Sequence, residues 1–262
     1  MDIIVCVKQV PDTAEAELRI DEGGRRVETG GLVFDINETD NYAIEEALLL
    51  RERHGGTVTA LTVGPDGAQA VLRKCLAKGA DRAILLRDEA FEGSDAFAIA
   101  KIIRSAMKDA RFDLVLTGAT ASDDGHMAVG VMLAEMLGVP HASMVNRIEV
   151  RAGAVRVNRE LEGGLEEVVD VRLPAVLTIQ TGINEPRYVS IMGIRRARSK
   201  PLEVLGLDGL DLSEGDVGEA GSWIKVTRMY APPAEKEVVI LSGSPDEVAE
   251  RLAEALRARG VL

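Results

Sequence analysis

Residues 57–86 read TVTALTVGPDGAQAVLRKCLAKGADRAILL, and this stretch decides the fold of the chain. It begins with an apolar run from Thr57 to Val63, rich in β-branched residues, which is typical of a buried strand. Helical periodicity follows from Ala68 to Lys78 and ends at Gly79, a residue type that commonly terminates helices. A second buried strand is predicted from Arg82 to Leu86. Together these elements predict a right-handed, parallel β-α-β unit.

The same alternation of strands and helices continues on both sides of this unit. Further strands are predicted at Asp2 to Val7, Leu114 to Thr117 and Ala175 to Ile179. Further helices are predicted at Asp40 to His54, at Ser94 to Ala110 with Ser94 as N-cap, and after His126. The predicted fold class is therefore α/β, with a doubly wound, mostly parallel sheet of the Rossmann-like, adenine-nucleotide-binding kind.

Two stretches interrupt this alternation with β structure of another kind. Residues from Leu18 to Phe34 alternate and are rich in turns, which predicts a β excursion after the first strand. The second stretch combines strands at Arg147 to Val150, Ala154 to Arg159 and Glu166 to Arg172, and its glycine pair at 163–164 indicates a hairpin. We predict an α/β nucleotide-binding domain over residues 1–200.

From about Pro201 the composition shifts to Gly, Asp, Glu and Leu with little periodicity, which predicts an extended arm over residues 201–262. A last strand is expected at Val238 to Leu241. The final helix has a capping box, with Ser244 as N-cap, Pro245 at the first helical position and Glu247 two residues later. Its apolar stripe is expected to pack on the core or on a partner subunit; the stripe consists of Val248, Leu252 and Leu256.

Composition excludes several classes of function. A net charge of -12 argues against binding to nucleic acid or to anionic lipid, since both require a positive field. The longest apolar runs have the length of strands, so we expect neither membrane insertion nor a signal peptide. We therefore expect a cytoplasmic protein. Two isolated cysteines, Cys6 and Cys75, predict core residues rather than a disulfide or a metal site.

Three loops follow predicted strands at the sheet edge where doubly wound folds bind ligands. They span Lys8 to Asp12, Val63 to Gly67, and Gly118 to His126. The third is the best phosphate candidate, because it has small residues and hydroxyls before a helix N-terminus, where free amides attract anions. Its aspartates, Asp123 and Asp124, are suited to a ribose, a helix cap or solvent. Neither the dinucleotide fingerprint nor a P-loop occurs.

Several ordered blocks of sequence resemble the electron-transfer flavoprotein beta subunits. The resemblance covers nearly the whole chain and weakens after about Leu205. It rests on VNRELEGG at 157–164, LPAVLT at 173–178, INEPRY at 183–188, VCVKQVPD at 5–12 and GADRA at 79–83.

What this resemblance implies is a heterodimer in which an alpha subunit holds a redox-active FAD. The beta subunit of this family holds AMP or, in the electron-bifurcating branch, a second FAD. The loop that begins at Gly118 lacks the family's usual hydroxyl and amide donors, so the resemblance leaves AMP and FAD both open. The family's nucleotide contacts fall here on Cys6, Asn37, Glu38, Thr39, Asp40, Val63, Gly118, Ala119, Thr120, Ala121, Ser122, Asp123, Asp124, Gly125, His126, Met127, Ala128 and Val129.

The resemblance also implies a recognition loop near residues 184–200 that docks onto partner dehydrogenases, with a quinone-linked oxidoreductase as a further partner. By position its apolar anchor is Ile191, with Met192 beside it. An exposed apolar anchor surrounded by charges suits a docking surface. The flanking candidates for docking are Arg187, Tyr188, Arg195, Arg196 and Arg198.

No nucleophile, carboxylate pair or metal constellation stands out, which favours an electron carrier over an enzyme. Two alternatives remain open. In the first, the chain binds a redox-active FAD that takes a hydride from NADH and divides the electrons between two routes. In the second, it is a free-standing regulatory protein that binds an adenine nucleotide and exists as a stable monomer.

Overall fold

The computed structural model of the protein describes residues 1–13, 18–232 and 238–262. The chain divides into two compact units. The large unit comprises Met1–Arg19 and Val27–Thr227, and the small unit comprises Ile20–Arg26 and Arg228–Leu262. Each unit is described by itself below.

The described residues form eleven strands and seven α-helices. The strands are β1 (Asp2–Cys6), β2 (Gln9–Pro11), β3 (Phe34–Ile36), β4 (Thr57–Val63), β5 (Arg82–Leu86), β6 (Leu114–Gly118), β7 (His141–Arg151), β8 (Ala154–Leu161), β9 (Leu165–Arg172), β10 (Ala175–Ile179) and β11 (Leu202–Leu205). The helices are α1 (Glu38–His54), α2 (Gln69–Lys78), α3 (Ala96–Ala106), α4 (Val129–Leu137), α5 (Ile191–Ala197), α6 (Gly218–Gly221) and α7 (Pro245–Ala258).

The central sheet has nine strands in the order β11-β5-β4-β1-β6-β10-β7-β8-β9. The strands from β11 to β7 pair in parallel, and β8 and β9 continue the sheet as antiparallel strands. From β1 the chain builds outward through β4 and β5, then returns to place β6 on the other side of β1. The strand order therefore reverses between β1 and β6. This topology confirms the predicted doubly wound α/β fold.

The core forms two layers because successive side chains of a strand point to opposite faces of the sheet. On β1, Ile3 and Val5 pack with residues of α1 and α2. On the same strand, Ile4 and Cys6 pack with residues of α3 and α4. Apolar runs with this double burial occur in parallel strands that are covered by helices on both faces, as the sequence predicted.

The third helix begins differently from the prediction. The predicted N-cap was Ser94, but the carboxylate of Asp95 accepts the hydrogen bond from the Ala98 amide at 2.9 Å and caps α3. The Ser94 hydroxyl instead accepts the Gly218 amide at 2.8 Å. The prediction was therefore wrong by one residue, because a contact with a distant part of the chain engages the serine. The helix also ends at Ala106 rather than Ala110.

Of the two predicted β excursions, the second is present. The hairpin at 163–164 joins β8 and β9, and both of its glycines have positive φ angles, 76° and 75°. The first prediction was largely wrong, because Phe34 is the only residue from Leu18 to Phe34 that lies in a strand; this strand is β3, which pairs antiparallel with β2. The rest of the stretch consists of turns, bends, isolated bridge residues and irregular backbone.

The segment after residue 200 also differs from expectation. Strand β11 pairs with β5 inside the central sheet, and the large unit continues to Thr227. That the chain divides at residue 200, with residues 201–262 packing on a partner subunit, stays a prediction. In the small unit, the predicted strand at Val238 to Leu241 is wrong, because no strand of the described ranges lies beside these residues to supply hydrogen bonds.

Helix α7 confirms its predicted start. The Ser244 hydroxyl accepts the Glu247 amide, and the Glu247 carboxylate accepts the Ser244 amide at 2.8 Å. None of its residues is buried, and Leu252 in the apolar stripe is 48% exposed. Within the described residues no helix combines the length and the apolar character needed to cross a membrane.

Candidate functional site

A cavity of about 240 Å³ opens at the carboxyl ends of β1, β4 and β6. It lies where the strand order reverses, which is the usual ligand site of a doubly wound sheet. The first turns of α3 and α4 close its sides. All three candidate loops from the sequence contribute to it: the first through Lys8, the second through Val63 and the third through the residues after Gly118.

The inner wall of the cavity is largely aliphatic. Leu61, Val63, Ile99 and Ile103 contribute aliphatic side chains to the lining. Thr62 is 1% exposed, and its enclosed Oγ1 atom has no hydrogen-bond partner among the described residues. Side chains alternate along a strand, so Thr62 points to the opposite face of the sheet from Leu61 and Val63.

Asp40 ties together the two strands that flank the switch point. Its carboxylate is buried and accepts the Lys8 amide after β1 and the Gly118 amide at the end of β6, both at 2.7 Å. Burial raises the pKa of Asp40 to about 7, although both backbone hydrogen bonds favour the charged form. Gly118 is required here, because a Cβ at this position would overlap with Thr39 Oγ1 and the Asp40 carboxylate.

Asn37 and Thr39 hold the loop after β6 from the start of α1. The Asn37 side chain donates to the Thr120 carbonyl at 2.8 Å and accepts the Ser122 amide at 3.1 Å. The Thr39 hydroxyl donates to the same carbonyl at 2.6 Å. Both side chains are buried, and their hydrogen-bonding atoms are already engaged with the protein. Their role in this structure is to position the loop.

A charged cluster lies at the mouth of the cavity. The Lys8 ammonium contacts Asp123 Oδ1 and Asp124 Oδ2, both at 2.7 Å. Partial burial disfavours this ammonium, but the hydrogen bonds from the two carboxylates outweigh burial and raise the pKa of Lys8. The His126 amide donates to Asp124 at 3.0 Å, and the imidazole Nδ1 lies 3.6 Å from the same carboxylate.

The first turn of α4 borders the cavity with its backbone. Ala128 is the N-cap residue and supplies no side-chain hydrogen bond, so the amides of this turn have no side-chain cap. Gly130 lets the helix approach the sheet closely, because a Cβ there would lie 2.6 Å from Thr117 Oγ1. Uncapped amides at a helix N-terminus favour an anion.

The wall formed by α3 was not predicted. Ser94, Asp95 and Ala96 line the cavity. The Asp95 carboxylate also accepts the amides of Trp223 and Ile224 at 2.8 and 2.9 Å. The Trp223 ring stacks on Phe97 of α3 with 4.0 Å between the ring centroids. These contacts join residues more than a hundred positions apart in the sequence, so no local pattern predicts them.

The predicted cofactor residues divide into two groups in this structure. One group lines the cavity: Cys6, Asn37, Asp40, Val63, Gly118, Ala119, Thr120, Ala121, Asp124, His126, Met127, Ala128 and Val129. The other group lies outside the lining: Glu38, Thr39, Ser122, Asp123 and Gly125. Glu38 is exposed on the first turn of α1. Burial raises the pKa of the Cys6 thiol to about 12, so this thiol stays protonated and presents a small apolar surface.

The segment carrying the predicted docking residues is fastened to α1. Asn184 donates to the Glu46 carboxylate at 3.0 Å. Arg187 contacts Glu45 at 2.9 Å and Glu52 at 2.8 Å, and the side chain of Glu45 is only 4% exposed. The hydrogen bonds from these two carboxylates raise the pKa of Arg187 above its ordinary value. The guanidinium is therefore engaged within the chain.

Beyond Arg187 the side chains turn outward. Tyr188 is 98% exposed and Ile191 is 85% exposed. The short helix α5 follows, with Ser190 as its N-cap, and it packs on α2 through the buried Ala197. Its outward residues are Met192, Arg195 and Arg196, and Arg198 follows directly.

No group of three or more His, Cys, Asp or Glu side chains within the described ranges could hold a metal ion.

Comparison with known protein families gives a match to the family described as "Electron transfer flavoprotein domain" over residues 26–209.

Full-length relatives carry the same family name. The electron transfer flavoprotein subunit beta of Methylophilus methylotrophus is 39% identical over 260 residues, which covers 98% of both chains. The protein of the same name in Bacillus subtilis is 39% identical over 258 residues and 98% of both chains. The chain is also similar to the caffeyl-CoA reductase-Etf complex subunit CarD of Acetobacterium woodii, at 36% identity over 265 residues and 100% of both chains.

Proposed function

The chain belongs to the electron transfer flavoprotein family as a beta subunit, and on this premise we propose that it is the smaller chain of a two-chain electron carrier. In this proposal it holds an adenine nucleotide in the switch-point cavity. A larger alpha chain holds the redox-active FAD, which accepts electrons from a dehydrogenase and passes them on. The observation that carries the proposal is the cavity itself, a slot at the switch point with an aliphatic wall beside the uncapped first turn of α4.

The residues present fit a nucleotide in two respects. The aliphatic wall suits an adenine ring. The uncapped amides of α4 suit a phosphate. Gly118 and Gly130 shape the cavity by letting α1 and α4 pack closely on the sheet.

The predicted cofactor residues take different parts in this proposal. Val63, Ala119, Ala128 and Val129 contact the nucleotide as cavity lining. Asn37, Thr39 and Asp40 act indirectly on the nucleotide, because their side chains hold the ends of β1 and β6 in place. Lys8 and its two aspartates close the mouth. No residue of this chain is assigned a bond-making role, since electron transfer requires proximity rather than acid-base groups.

A second candidate is that the cavity holds a redox-active FAD instead of AMP. The full-length similarity to a subunit of a caffeyl-CoA reductase complex favours it, because that relative is named as part of an enzyme. The two candidates differ in light absorption, since a bound flavin absorbs visible light and AMP does not.

The deciding experiment is the nucleotide content of the purified complex of this chain with its alpha subunit. The complex is denatured, and the released compounds are identified and counted. One FAD and one AMP per complex support the simple carrier. Two FAD and no AMP move the chain to the bifurcating class, and a preparation without any nucleotide contradicts both.

The docking role has its own test. Ile191→Ala removes an 85% exposed anchor, so electron delivery from a partner dehydrogenase should fall about tenfold or more, as expected for a hot-spot residue. The flavin content should stay the same. Val168→Ala, which shortens another exposed apolar residue, is the matched control. Loss of flavin in the Ile191 variant would instead make this residue structural.

A further inference from the structure

A second concave site lies beneath α5, apart from the switch-point cavity. It is a groove of about 470 Å³ between β3, α2 and α5. Its floor consists of apolar side chains from all three elements: Phe34, Val71, Ala77, Val189, Ile194 and Ala197. Ile194 is 49% exposed there although a polar residue would be the usual choice at an open surface.

The rim of the groove is basic. Arg73, Lys74 and Arg198 line it, together with one carboxylate, Asp35. The Lys74 ammonium forms an ion pair with Asp35 and lies 2.6 Å from both carboxylate oxygens. Among the described residues, Arg73 donates to the backbone carbonyls of Ala197 and Lys200, and neither Arg73 nor Arg198 forms an ion pair with a carboxylate. Within this part of the chain the guanidinium charges of the rim are therefore not neutralised.

This local charge is opposite to that of the whole chain. The sequence carries a net charge of -12, whereas α5 and the residue after it present Arg195, Arg196 and Arg198 on one short stretch. None of the three forms an ion pair with a carboxylate in the part of the chain that the structure describes. An apolar floor with a basic rim is complementary to an apolar side chain flanked by carboxylates.

We propose that this groove binds a segment of the electron-donating partner in which one bulky apolar side chain is flanked by Asp or Glu. The proposal rests on the proposed function, because it adds a second contact to the docking surface at α5. Ile191 is the side chain that this protein inserts into its partner, and the groove receives a side chain in return. Two contacts on one short helix would define the orientation of the partner.

The alternatives are less suited to the groove. Nucleic acid would require a wide positive surface, and the chain is acidic as a whole. A second copy of this chain is acidic as a whole, so the basic rim would attract it. It would also have to present a bulky apolar side chain flanked by carboxylates that fits the groove.

The test uses the flavin-loaded heterodimer and a fluorescein-labelled peptide, acetyl-DEDLFDED-amide. We expect saturable binding with a Kd on the order of 0.1 mM, as for a short segment that buries one or two side chains. Binding should weaken as salt rises. The peptides acetyl-DEDSSDED-amide and acetyl-KRKLFKRK-amide, which lack the apolar pair or reverse the charge, should not bind.

Two variants with matched controls locate the site. Ala70→Trp fills the groove from an exposed position on α2 and should abolish peptide binding, whereas Ala152→Trp in the turn after β7 should not. Arg198→Glu reverses a rim charge and should weaken binding about tenfold, whereas Arg111→Glu at an exposed site elsewhere should not. Replacing the peptide phenylalanine by benzoylphenylalanine should yield photo-crosslinks to α2 or α5.

Three results would overturn the proposal. They are the absence of saturable binding, crosslinks that map elsewhere, and binding to the isolated chain that disappears in the heterodimer because the alpha subunit covers the groove. A heterodimer whose assembly size changes with Ala70→Trp would make the groove a contact between copies and would also overturn it. Flavin and nucleotide are counted in the same preparation, so failure of the proposed function is seen separately from failure of the groove.

Discussion

Thr62 carries a buried hydroxyl that has no hydrogen-bond partner among the described residues. Such a hydroxyl destabilises the folded chain by about 1–3 kcal/mol. Thr62→Val should therefore raise the free energy of unfolding, which urea unfolding measures. Nucleotide binding, measured by titration calorimetry, should stay the same because the hydroxyl is enclosed by the protein.

The matched control for this variant is Thr178→Val. Thr178 also lines the cavity, but its hydroxyl already accepts the Met144 amide at 3.1 Å. Its replacement should destabilise the empty protein, because it leaves a backbone amide unpaired. If both variants destabilise the protein equally, the Thr62 hydroxyl has a hydrogen-bond partner in solution.

Asp40 gives the empty site a defined pH dependence. Its pKa is about 7 in the folded chain, against 3.8 for an ordinary aspartate. A folded-state pKa above the unfolded value means that its contribution to stability is complete below about pH 4 and is lost as pH rises through 7. Asp40→Asn, which cannot titrate and loses one backbone hydrogen bond, should be destabilised most at pH 5 and less at pH 8.

Urea midpoints of both proteins between pH 5 and pH 8 test this prediction. The difference between them cancels the titration of the other groups, provided that these are independent of Asp40. A difference that grows with pH would show that the two backbone amides stabilise the carboxylate more than burial destabilises it.

At the scale of elements, the contact between the segment 183–187 and α1 decides how the docking helix is held. Arg187→Met leaves the buried Glu45 carboxylate with the backbone amide of residue 187 but without the guanidinium, and should lower the free energy of unfolding by about 1.5–3 kcal/mol. The double variant Arg187→Met and Glu45→Leu should recover most of this loss. Chemical denaturation of both variants provides the measurement.

If Arg187→Met leaves stability unchanged and lowers only the rate of electron delivery, the arginine belongs to the docking surface. The sequence resemblance alone suggested such a role. The structure adds the two carboxylates of α1, which are distant in sequence and therefore invisible to a local pattern.

The same contrast between local and distant information explains which elements were predictable. The bounds of β4, β5 and β10 were predicted to the residue, because each is an apolar run between turn residues. The start of α3 was missed because Ser94 pairs with Gly218. The strand expected at Val238 to Leu241 has the right composition, but a strand also requires a neighbour.

The same distinction between local patterns and distant contacts applies to the candidate site. The loop from Gly118 was predictable from small residues, hydroxyls and the following helix. Asp95, Ile99 and Ile103 were not, because their place at the cavity depends on how α3 packs across the sheet. Thr62 belongs to a strand whose apolar pattern gives no reason to single out its hydroxyl.

At the scale of the whole molecule, the small unit leaves apolar surface uncovered. Val238, Val239 and Ile240 are 74%, 67% and 86% exposed, and no residue of α7 is buried. Exposed apolar surface of this extent promotes association. We expect the isolated chain to self-associate in sedimentation velocity experiments and to become monodisperse when it is co-expressed with its alpha subunit. A stable, monodisperse monomer would favour the free-standing regulatory protein.

The stacking of Trp223 on Phe97 has a practical consequence. The sequence contains a single tryptophan, so all indole fluorescence of this chain originates next to the helix that walls the cavity. A flavin bound nearby would quench this emission by resonance energy transfer, because its absorption overlaps with indole emission. AMP does not absorb there and would leave the lifetime almost unchanged. The chain thus carries a built-in optical reporter, and lifetime measurements on the isolated chain, with each nucleotide added in turn, would reveal which of the two has entered.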